Sequence, residues 1–122
     1  MDEVESQRER RRLRALERLG PDRPRCHCGE DNPHCLEQHH IAGRAYNDET
    51  VIVCRNCHRK LSDRQKDHPK GTGTAPDPLE CIGRFLLGLA DLFELLIAKL
   101  REFGTDLIAR ARAAVASTEA TS

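Results

Sequence analysis

The chain has 122 residues, a hydrophobic content of 38% and only 3% aromatics, with no Trp. This is about one domain's worth of chain, and its Leu, Ile and Phe lie mostly after residue 78, so the middle cannot rest on a large apolar core. Formal net charge is zero, which excludes a whole-molecule field for polyanions and leaves only local basic clusters to bind one. Met1 to Gly20 is dominated by charge and lacks the apolar stretch of a secretory leader. The uncharged apolar run Phe85 to Ala90 is far too short to span a bilayer. The expectation is a soluble, cytoplasmic protein with no membrane partner, whose cysteines are metal ligands or free thiols rather than disulfides.

Residues 1–25 read as a charged helix over 2–19 followed by an extended lead-in. Leu13, Leu16 and Val4 are the helix's few apolar contacts, Gly20-Pro21 ends it, and Pro24 keeps the next residues extended. Its run of Arg8, Arg10, Arg11, Arg12 and Arg14 reads first as a solvated face laced with Glu–Arg pairs, and second as a phosphate-binding arm.

Residues 26–69 form a cysteine- and histidine-rich module. Leu36–Ile41 and Thr50–Val53 are short β-prone runs separated by turn chemistry, and the pattern turns helical from Arg55 to Lys66. Five of the six cysteines fall here: Cys26, Cys28, Cys35, Cys54 and Cys57. Zinc takes four ligands at tetrahedral positions, and two short-spaced cysteine pairs supply them with little loss of chain entropy. Cys26 with Cys28 and Cys54 with Cys57 are the natural pairs, Cys35 being a substitute ligand. The sixth, Cys81, reads as a small core residue.

Residues 70–78 are a linker by composition. In residues 79–116, Leu79, Ile82, Leu86, Leu89, Phe93, Leu96, Leu100, Phe103 and Leu107 recur at spacings of three and four. That predicts a long amphipathic helix with Arg84, Asp91, Glu94, Arg101 and Glu102 on the opposite, solvent face and Gly104 as a kink. The helix over 2–19 is expected to cover part of this stripe through Leu13, Leu16 and Leu19, and a second copy of the chain to cover the rest as a homodimer. Residues 117–122 read as a frayed tail.

Within the module lie three histidines, His39 and His40 in tandem and His58 directly after Cys57. Alternation along a strand points His39 and His40 to opposite faces, so that one can orient toward a metal while the other activates water. The strings Leu-Glu-Gln-His-His-Ile-Ala-Gly-Arg (36–44) and Val-Ile-Val-Cys-Arg-Asn-Cys-His-Arg-Lys-Leu-Ser (51–62) resemble the HNH endonucleases, specifically their zinc-stapled branch. The resemblance covers residues 26–69. It implies a small α+β fold: a zinc-stapled ββα-metal module flanked here by the N-terminal helix and the long C-terminal amphipathic helix.

It further implies a metal-dependent DNA endonuclease with His40 as general base and His39 and His58 as ligands of one catalytic divalent ion such as Mg2+, Mn2+ or Ni2+, beside the structural Zn2+. The Asn that the family carries before the downstream cysteine pair is Glu49 here, with Asn47 close by, and these two are the residues to fix the loop. Arg44, Arg55, Arg59 and Lys60 are placed to grip backbone phosphates, whereas Arg64 and Lys66 read as a solvated helix face. Two other functions stay open: a catalytically silent zinc module that binds DNA or a protein, and an interaction protein working through its C-terminal helix. An aromatic platform for single-stranded bases is excluded, since Tyr46 is the one Tyr and every Phe lies in the amphipathic segment.

Overall fold

Asp2 and Glu5 open the chain with a capping box. The Asp2 carboxylate accepts the Glu5 amide at 2.8 Å and Glu5 accepts the Asp2 amide at 3.3 Å. In the computed structural model, which describes residues 2–20 and 22–121, the box starts α1 (Glu3–Leu19). Gly20 ends it at φ 104°, a backbone value that suits glycine. Pro21 and Ser122, expected at the helix end and in the tail, lie outside the described residues.

A short 3-10 turn (Pro33–Cys35) leads into β1 (Leu36–His40), which pairs antiparallel with β2 (Thr50–Cys54). The register sets Leu36 opposite Cys54 and His39 opposite Val51. The loop between them is closed twice. The Ile41 amide donates to the Glu49 carbonyl at 3.1 Å, and the Asn47 side chain accepts the Glu49 amide at 2.7 Å. Helix α2 (Arg55–Gln65) follows β2 without a linker, because Cys54 is its N-cap and its sulfur accepts the Cys57 amide at 3.4 Å. The result is a small α+β fold with a two-stranded sheet, three helices and a ββα order in the middle.

The core is as small as the composition demands. Leu36, Val53 and Leu61 are fully buried, Leu19 of α1 joins them from one side, and Cys26, Cys54 and Cys57 close the other. Helix α1 packs on the 3-10 turn and β1, where the Arg18 guanidinium donates to the Leu36 carbonyl at 3.1 Å. Its Leu13 stays exposed, so it does not serve as the broad cover of the C-terminal stripe that its leucines suggest.

Helix α3 (Pro78–Thr121) is one continuous helix. It neither breaks at Gly104 nor frays at residue 117. It also meets the module with the wrong face for a simple amphipathic helix. Arg84, expected outside, is only 8% exposed, with its guanidinium 4.2 Å from the centre of the Tyr46 ring and a bond to Glu80 at 2.9 Å. Asp91 pairs with His68 at 2.7 Å, and Glu94 pairs with Arg64. Leu92, Leu95 and Leu96 reach the core, while Leu79, Leu86, Phe93, Leu100 and Leu107 face outward. Beside that small apolar contact, the module offers α3 an aromatic ring, a histidine, an arginine and a backbone carbonyl. The polar face therefore docks.

That carbonyl belongs to Ile41 and accepts the Gln65 side-chain amide at 3.3 Å, and Gly88 lies against it so closely that a Cβ would occupy the same space as the oxygen. Since the obstacle is backbone, a side chain there cannot be relieved by a rotamer change. Gly88→Ala should destabilise the protein by about 1–3 kcal/mol, despite the gain in helix propensity. Thermal unfolding of the two forms checks it, with Gly83→Ala, where an added Cβ meets nothing within 4 Å, as the comparison.

Candidate metal centre

Two segments far apart in sequence bring four sulfurs together. Cys26 and Cys28 stand on the turn before the hairpin, where the Gly29 amide returns to the Cys26 carbonyl at 2.9 Å and Gly29 takes φ 101°. Cys54 and Cys57 stand on the junction of β2 and α2. All four Sγ atoms lie within 4.8 Å of one another, and Cys28 to Cys54 is 3.7 Å. A disulfide needs about 2.05 Å, so this is not one. A tetrahedron with Zn–S bonds of about 2.3 Å has edges of about 3.8 Å. The four thiols thus fit a tetrahedral ion such as zinc. Cys35 and Cys81 are outside the group.

An imidazole and a lysine stand beside the sulfurs. The His27 ring bridges it, with Nδ1 3.6 Å from Cys26 Sγ and Nε2 3.7 Å from Cys57 Sγ. Burial holds the His27 pKa below its usual value, helped by Lys99 and Lys60. Lys99 of α3 is in turn held above its usual range, first by Glu102 and further by Cys28 and Cys57. Among the thiols, burial pushes Cys26 and Cys57 up. Cys54 moves the other way: burial opposes this, but the Cys57 amide and the neighbouring thiols outweigh it.

The histidines gather beside this centre. His39 and Glu37 lie two apart on β1, and both meet α2. The His39 and His58 rings sit edge to face, 5.1 Å between centroids. Glu37 Oε2 bonds His58 Nδ1 at 2.5 Å, and Glu37 Oε1 holds Arg55 at 3.4 Å. The Gln65 amide reaches His39 Nε2 at 3.3 Å and the His40 carbonyl at 3.0 Å. His39 Nδ1 and His58 Nε2 are thereby the nitrogens left open among the described residues. His39 is 4% exposed, and burial, with His58 and His40 beside it, lowers its pKa to about 4. It is neutral near pH 7. His40 is half-buried, and its side chain holds no hydrogen bond among the described residues.

Asn47 serves the loop through its side chain, whereas Glu49 serves it through backbone alone. Arg44, Arg59 and Lys60 are exposed without an ion pair among the described residues, while Arg55 is engaged by Glu37. Arg64 and Lys66 pair with Glu94 and Asp63. Sequence reasoning passed over Glu37, Gln65 and His27. The period of two along β1 could have found Glu37, and the two turns of helix from His58 to Gln65 could have found the second. His68–Asp91 and Tyr46–Arg84 join distant segments and leave no local signal.

Two outcomes follow from this geometry. Because the apolar core is so small, stripping the metal with a strong chelator should unfold the module, and Cys57→Ser should lose the one zinc per chain. Circular dichroism with metal analysis checks both, and a metal-free chain that stays folded refutes the staple. The second concerns acid. His39 has a native pKa below its unfolded value of about 6.5, so the unfolded state binds the proton first. Its contribution is present above pH 6.5 and is lost as pH falls toward 4, on the order of 3 kcal/mol in all. Denaturant titrations at several pH values should show His39→Gln lacking that part of the slope. No protein-family model matches the chain, nor does any curated protein or solved structure, and no helix among the described residues is long and apolar enough to cross a membrane.

Proposed function

We propose that the chain is a metal-dependent DNA endonuclease of the kind its central residues resemble, the HNH endonucleases, stapled by zinc on Cys26, Cys28, Cys54 and Cys57. The observation that carries this reading is the pairing of His39 and His58 edge to face across a strand–helix junction, with Glu37 on the far nitrogen of His58. A carboxylate on one imidazole nitrogen fixes the ring and raises the basicity of the other, which is how proteins prepare a histidine to hold a metal. Burial serves the same end at His39 by keeping the ring neutral, which leaves one of its two nitrogens a lone pair.

In this reading His39 and His58 hold a divalent ion, such as Mg2+, Mn2+ or Ni2+, which when bound neutralises charge on the scissile phosphate. His40 follows His39 on β1 and takes the proton of the attacking water, a task suited to an imidazole near neutral pH. Gln65 fixes the backbone on which both histidines stand through its bond to the His40 carbonyl. Arg44, Arg59 and Lys60 give exposed cations for backbone phosphates, and DNA is the partner they fit. A second reading, a silent zinc module that binds nucleic acid or protein, is favoured by two details. Glu49 stands where the resembled family has Asn, and the Gln65 amide takes His39 Nε2.

Plasmid nicking separates the two. With magnesium, manganese, cobalt or nickel the zinc-loaded protein should convert supercoiled DNA to open circles. His40→Ala should lower that rate on the order of a hundredfold or more, with fold and zinc intact. His58→Ala should raise the divalent ion concentration required. A protein that binds DNA but nicks with none of the four ions belongs to the silent reading.

A further inference from the structure

Helix α3 runs 44 residues, about 66 Å, and uses only part of one face to dock. Every residue from 101 to 120 is exposed. The positions that dock most deeply on the module, Arg84, Gly88, Asp91, Leu92 and Leu95, lie on one side, with Glu94 and Leu96 touching it from the two margins. On the other, Leu79, Leu86, Phe93, Leu100 and Leu107 recur every seventh residue and are 52–77% exposed. Ile82 and Phe103 occupy the intervening fourth positions of that heptad and are 57% and 45% exposed. Leu89 and Leu96 fill the same row and are half-buried. The seam is thus a full 3–4 repeat over four heptads, and the chain's own domain lies behind it.

We infer that two copies of the chain pair along this seam, each helix carrying its zinc module on the outer side. Three observations favour a copy over another occupant. A strict seven-residue repeat packs against a helix with the same repeat over the same length, and an identical chain supplies both. One flanking row, Gly83, Ala90, Ile97, Gly104 and Ala111, is uncharged and mostly small, which permits close approach. The other carries one cation, Lys99, and one anion, Asp106, so no run of like charge along the seam excludes an identical chain. Half-exposed Leu, Ile and Phe side chains burying of the order of 100 Å2 each give roughly 800 Å2 per chain, the contribution each partner makes to a stable interface. The distal half of the helix also gains the packing that an isolated helix of that length lacks. This inference is independent of the nuclease reading.

Sedimentation of the full-length, zinc-loaded protein tests it, with mass as the readout. The wild type should sediment as a dimer in the micromolar range. Leu100→Asp should sediment as a monomer with its zinc content and circular dichroism retained near the module, since Leu100 lies on the seam away from the docked face. Arg101→Asp, one residue along and off the seam, should remain a dimer. Leu107→Ala, a milder change, should weaken the dimer, and keeps the test decisive if Leu100→Asp fails to fold. Hydrogen exchange should show the helix from Leu100 to Leu107 protected in the wild type and less protected in the monomer. A monomeric wild type, a dimer that survives both seam variants, or a one-to-one complex with a different protein overturns the proposal.

Discussion

Four sulfur atoms, brought together from a turn and a strand–helix junction, are the constraint around which the site is arranged. With Leu36, Val53, Leu61 and Cys26 the largest fully buried side chains among the described residues, hydrophobic burial at the centre is a few side chains' worth. The Cys26–Cys28 turn is tied to the β2–α2 junction through the cluster they share with Cys54 and Cys57. Because Cys54 is both the end of β2 and the cap of α2, the angle between strand and helix is set at a sulfur. His58 follows Cys57 directly, so its position is inherited from the same constraint. The histidine pair is organised by the staple rather than by its own packing.

The staple explains proximity, and a ring of polar partners explains orientation. Glu37 takes one nitrogen of His58, Gln65 one nitrogen of His39, and burial decides the charge of His39. The carboxylate of Glu37 is shared with Arg55, which turns an expected phosphate-gripping cation into part of the frame. The basic residues free for a polyanion are accordingly fewer than composition suggests. Of the cations expected to grip phosphate, those without an ion pair among the described residues are Arg44, Arg59 and Lys60, all on or near the ββα unit.

Much of this was legible in the residues. Cysteine spacing picked out the four sulfurs that come together and could hold a metal, turn chemistry placed the hairpin, and heptad spacing found the long helix. Pairing by chemistry across a gap was not legible. Amphipathic periodicity identifies that a helix has two faces, but which one docks depends on what the rest of the fold presents to it. Here it presents the Tyr46 ring, His68 and the Ile41 carbonyl, so the face with Arg84, Gly88 and Asp91 wins over the stripe with Leu86 and Phe93. A glycine at position 88 reads in sequence as a mild cost to a helix; only the apposed carbonyl makes it a requirement.

The place of that contact along α3 has a mechanical consequence. Gly88 touches the hairpin within the first third of the helix, and beyond it the rod continues for about 50 Å, of which residues 101–120 are all exposed. Such a rod is a lever with its fulcrum near one end. A tilt of about 5° at the Ile41 carbonyl carries the far tip through about 4 Å, by simple proportion along that length. Small adjustments where helix meets hairpin are therefore amplified at the distal end, and whatever is fastened there experiences the hairpin's posture at long range.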